Sequence, residues 1–108
     1  MPNGVDKNYV RLAIACAAFR SEHGHWPTEA RVAPIVLWDY GQLFDARNFE
    51  VLCSRLRLRT SSTAHIAVGT SAAHLVYDKI VQSPRGDFVR EATAWLGVRI
   101  RPEFEHMD

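Results

Sequence analysis

The chain has 108 residues, 47% of them hydrophobic and 23% charged, with a formal net charge of +1. That length predicts one domain over residues 1–108 that builds its own core, and the composition excludes a disordered chain. An isoelectric point near 7.9 excludes a domain held to nucleic acid by bulk charge alone, for which values above about 9 are usual.

Residues 1–5 read as frayed. Asp6 is placed to cap a helix running to about Glu22, with Gly24 to end it. Val10, Ala13, Ile14, Ala17 and Ala18 recur at helical period, and Leu12, Cys16 and Phe19 widen the apolar stripe. The segment His23–Thr28 breaks the helix, because Pro27 drives Trp26 toward an extended backbone. Arg31-Val32 fits either a short strand or a helical turn.

Pro34 suits the first position of a short helix over Ile35–Tyr40, stopped at Gly41. Its Ile-Val-Leu-Trp run is apolar all round, which predicts burial. Asp45 caps the next helix, Ala46–Leu56, whose Phe49, Leu52, Cys53 and Leu56 fall at i, i+3, i+4 and i+7. Arg55-Leu-Arg-Leu-Arg59 then alternates with period two, so the chain is expected to leave the helix for an extended segment.

Ser61–Thr63 reads as a loop. His65–Val68 and Leu75–Tyr77 read as a β-hairpin about a turn at Gly69–Ala72. Ser83–Gly86 reads as a second loop, after which Asp87 caps a helix to about Leu96, ended by Gly97. Phe88, Ala92, Trp95 and Leu96 form its apolar face. Val98-Arg-Ile-Arg101 alternates again before Pro102 and an acidic end. Such a segment can close the domain's own sheet, pair with a sheet edge of a partner or second copy, or stay unpaired.

Two cysteines, Cys16 and Cys53, fall on apolar helix faces and read as buried free thiols. No leader pattern opens the chain and no apolar run reaches the ~20 residues that span a bilayer. A cytoplasmic protein with no membrane contact is the expectation. Trp26, Trp38 and Trp95 lie in separate elements and are expected to join one core.

The order helix, helix, helix, hairpin over residues 6–79 resembles winged-helix domains. The string His25–Val32 is similar to one that recurs in small uncharacterised bacterial proteins. The resemblance implies an α+β fold: a winged-helix-like three-helix core with a two- or three-stranded sheet, here with an added C-terminal helix. It implies DNA binding in many members and protein binding in others. Ala46–Leu56 would then be the helix in the major groove and the hairpin the wing. Arg47 and Asn48 at its start have the chemistry to grip guanine and adenine, and Arg55, Arg57 and Arg59 to hold phosphates. Asp45 and Glu50 put negative charge on the same helix, and the Gly69–Ala72 wing tip carries no cation.

Eleven of the thirteen cations are arginine, which suits bidentate phosphate or carboxylate contacts, although a G+C-rich genome gives the same bias. Residues 1–54 hold five cations against six anions, and residues 55–108 hold eight against six.

Other chemistries are poorly served. His23 and His25 flank a glycine, and His65 and His74 can meet across the hairpin, but zinc needs three or four ligands, so no metal site is expected. The carboxylates are scattered at helix caps, Cys16 has no histidine nearby in sequence, and no glycine-rich phosphate loop is present. The expectation is a small DNA-binding regulator or accessory protein with no enzyme activity and no cofactor. The alternative is a protein-binding module such as an inhibitor, adaptor or complex subunit, which suits the near-zero net charge.

Overall fold

The computed structural model describes residues 7–63, 65–70, 73–76 and 85–104. In chain order the elements are α1 (Lys7–His23), β1 (Glu29–Val32), α2 (Pro34–Leu43), α3 (Ala46–Leu56), β2 (Leu58–Thr60), β3 (Ile66–Thr70), β4 (Ala73–Val76) and α4 (Arg85–Leu96), with a 3-10 turn at Pro102–Phe104. The architecture is α+β. α1 and α3 pack on one face of the sheet, and α2 and α4 pack on those helices.

The strand order is β2-β1-β3-β4. β1 runs parallel to β2, with Ala30, Arg31 and Val32 opposite Leu58, Arg59 and Thr60. It runs antiparallel to β3, and β3 and β4 form the expected hairpin, closing at Thr70 opposite Ala73. The ambiguous Arg31-Val32 segment is thus an inner strand. Its period-two pattern explains the choice: Ala30 and Val32 are buried in the core while Arg31 is exposed. The sheet has four strands, where the winged-helix resemblance implies two or three. The additional one is β2, the extended segment expected from the alternation after Leu56.

α1 is wrapped on most sides, with Leu12 to Ala17 all buried. Its alanines and Cys16 let α4, α2 and β3 approach closely. Tyr9 meets the Phe44 ring edge-on at 5.2 Å, and its hydroxyl is hydrogen-bonded to the Thr93 hydroxyl (2.5 Å), tying α1 to α4. Burial pushes the Tyr9 phenol up to about 12. Burial likewise pushes up the Cys16 thiol, which lies in the core as expected, and the half-buried Cys53 thiol. α3 buries Leu52 and Leu56 completely, each worth roughly 2 kcal/mol of transfer free energy. α1 and α4 end where their glycines sit: Gly24 (φ 80°) and Gly97 (φ 72°) donate back to Arg20 O and Thr93 O.

Four expectations are corrected. α2 runs through Gly41 to Leu43, because a helical glycine costs only about 1 kcal/mol and Tyr40 and Leu43 are both fully buried beside it. α2 is not buried all round: Val36, Tyr40 and Leu43 face inward, while Ile35 and Trp38 are 61% and 62% exposed. Trp38 therefore does not join the core. Residues 85 and 86 are helical, so Asp87 sits in the first turn of α4, paired with Arg90, and not at its cap. Finally, Val98–Arg101 forms no strand. Arg101 N–H donates to Leu43 O (3.0 Å), Val98 is buried, and Ile100 and Phe104 pack on the core. The Asp6 cap, the hairpin tip at 71–72, Tyr77, residues 83–84 of the second loop and the acidic end at 105–108 lie outside the described residues.

Candidate functional site

α3 begins as its sequence requires. The Asp45 carboxylate accepts from the Asn48 backbone N–H (2.8 Å) and from the Asn48 side-chain amide (3.0 Å). The same Asn48 amide accepts, through Oδ1, the Arg99 backbone N–H at 3.0 Å. Each end of the Asn48 amide thus already makes one bond, to the cap and to the segment after α4, and these hold the side chain in place, so a bidentate grip on adenine would have to share or break them.

The hydrogen bonds from Asn48, with Arg101 nearby, hold the Asp45 carboxyl below the usual carboxylate range. A carboxylate lowered by folding contributes stability that is complete above the ordinary pKa of about 4. That contribution is lost as pH falls through the lower folded value. Asp45→Asn, which keeps a capping oxygen, is expected to leave Tm at neutral pH nearly unchanged and to flatten its fall in acid. A wild-type acid limb in thermal melts of that variant would take Asp45 out of the account.

The arginines separate into two kinds. Arg55 lies with its guanidinium 5.8 Å over the Trp95 ring. Trp95 stacks on Trp26 at 4.6 Å and 5°, and the Arg20 guanidinium lies 5.1 Å over Trp26. With one face of each indole used by the other, the arginines cover the outer faces, giving a column Arg20, Trp26, Trp95, Arg55. Arg20 also approaches Glu91 at 3.9 Å, Arg90 pairs with Asp87, and Arg101 approaches Glu103 at 3.8 Å. Arg31, Arg47, Arg57 and Arg59 are instead exposed and, among the described residues, make no ion pair.

Of the five expected nucleic-acid contacts, the structure brings together Arg57 and Arg59, at the end of α3 and in β2. Arg47 stands at the opposite end of an 11-residue helix, about 15 Å from Arg57 along its axis. Arg31 was not among the expected contacts. Its signal is the alternation Glu-Ala-Arg-Val, which places it opposite Arg59 once β1 and β2 pair.

A shallow groove of about 390 Å³ opens between α2 and α3, with Leu37, Trp38 and Phe49 as its apolar lining. A polar clamp joins α1, α2 and the residue before β3. Asn8 donates to Asp39 (2.7 Å), accepts from His65 Nε2 (3.1 Å), and receives the Tyr40 hydroxyl on its backbone oxygen (3.0 Å). His23 and His25 are both in ring contact with Phe19. The side chain of His74 lies outside the described residues. Among the described residues no three His, Cys, Asp or Glu converge as metal ligands, and no helix is long and apolar enough to cross a membrane. No protein-family model, no curated protein and no solved structure matches this chain.

Proposed function

We propose that this chain is a small DNA-binding domain of winged-helix type, a regulator or accessory factor that binds and does not catalyse. The supporting observation is the division among its arginines. Four of them, Arg31, Arg47, Arg57 and Arg59, reach solvent with no carboxylate to neutralise them among the described residues. A guanidinium without a counter-charge is available for phosphate. Arg55 does not join them, because the Trp95 ring already engages it.

The test is fluorescence anisotropy of a labelled mixed-sequence duplex at several salt concentrations. Binding at micromolar protein in low salt is expected, with log K falling against log salt by about 0.9 for each phosphate engaged. Absence of binding even at low salt would reject the proposal.

A second reading is favoured by one observation, the 61% and 62% exposure of Ile35 and Trp38 on a single helix beside the α2–α3 groove. Large apolar side chains left in water are a feature of protein-binding surfaces. Under this reading the domain is an adaptor, inhibitor or complex subunit. Its partner is a protein that seats an apolar side chain in the groove and covers the Trp38 indole.

A further inference from the structure

We propose that the phosphate backbone of duplex DNA docks on the outer face of the sheet, held by Arg31 and Arg59 with Arg57 beside them. This placement rests on the DNA-binding reading above and moves the contact away from the start of α3.

Arg31 and Arg59 are register partners in neighbouring parallel strands. Register partners leave the same face of a sheet, with strands about 4.8 Å apart. That face is the one turned away from the helices, since Ala30 and Val32 on either side of Arg31 are fully buried in the core. Two like charges side by side lower stability in the free protein. An anion lying between them reverses that sign. Each strand of a duplex presents a phosphate about every 3.4 Å of axis, so neighbouring phosphates meet both guanidinium groups.

The exposed part of the face is bounded on the β3 side. The row Arg59, Arg31 continues into Ala67, which is 4% exposed yet stands apart from the main core cluster. The next row pairs Glu29 with Gly69. Ala67 and Gly69 are buried, so the open part of this face is its β1–β2 half, where Arg31 and Arg59 stand exposed. Among the described residues of these rows Glu29 is the carboxylate, and it has a contact of its own. Arg57 adds an independent sign. It is left-handed at φ 50°, the one non-glycine residue described with positive φ. Glycine is the unstrained choice at a helix end of this kind. The strained arginine instead sets a third cation two residues before Arg59.

Salt-dependence plots of duplex binding test the placement, using wild type, Arg31→Ala, Arg59→Ala, the double variant and Arg90→Ala. Each single sheet substitution is expected to reduce the slope by about 0.9 and the double by about 1.8. Arg31→Lys is expected to restore the slope, and Arg90→Ala, on α4 and paired with Asp87, to leave it at the wild-type value. If wild type binds but the sheet variants keep its slope, the placement is overturned while the DNA-binding reading stands. If wild type does not bind, both fall. Thermal melts of the free variants give a separate check: Tm is expected to stay level or rise as the like-charge contact is relieved. A marked fall would show that the fold itself uses these arginines, and would count against the proposal.

Discussion

Trp95→Ala is expected to cost about 3 kcal/mol of folding stability, lowering Tm by about 15 °C. The reason is the position of the indole within a four-layer column. Trp95 on α4 stacks on Trp26 from the segment before β1, and the two are capped by Arg55 of α3 and Arg20 of α1. One side chain thus links three helices and the approach to the sheet. Trp95 is half-buried, so the lower end of the range for removing a large aromatic applies. Removing Arg55 takes away only a solvent-facing cap, so Arg55→Ala is expected to cost about 0.5–1 kcal/mol. Urea unfolding measures both. A Trp95→Ala cost below that of Arg55→Ala would mean that the stack covers the surface without holding the elements together. The stacked pair also gives a spectroscopic check, because its near-ultraviolet circular dichroism should vanish in Trp95→Ala and persist in Arg55→Ala.

Ending the chain after Gly97 is expected to destabilise the domain by a similar amount, about 3 kcal/mol. Val98 is 7% exposed, and Ile100 and Phe104 pack on the core. Two backbone N–H groups go with them: Arg99 N–H on Asn48 Oδ1 and Arg101 N–H on Leu43 O, both at 3.0 Å. Removal would therefore uncover the α2–α3 junction and free the Asn48 amide. Urea titration of the shortened chain should show a lower midpoint and a slightly smaller slope, since less surface remains to be exposed. An unchanged midpoint would mean that the segment is undocked in solution and open to a partner strand.

The docked segment shows where sequence patterning loses its force. Val98, Ile100 and the arginines between them alternate as a strand does. Alternation states only which residues prefer to be covered, and the cover here comes from helices and a helix cap. The backbone groups of the segment found partners on Leu43 and Asn48, so no sheet edge was required. The α2 helix makes the same point in reverse. An all-apolar run does not say which side faces inward. Packing on α1 and α3 selected Val36, Tyr40 and Leu43, and left Ile35 and Trp38 in water.

What the sequence determined by itself was local. Asp45 with Asn48 three residues on, the i, i+3, i+4, i+7 series through Leu56, Pro34 at a helix start, and the glycines at 24 and 97 specified where helices begin and end. Each of those signals acts between residues a few positions apart, within one or two helical turns. Only the tertiary structure decided that Arg31 stands beside Arg59, that Arg55 lies on Trp95, and that Asn48 is bonded to Arg99. Those pairs are separated by 28, 40 and 51 positions. Their meeting depends on the free energy of burying the whole core, to which every element contributes and which no local pattern records.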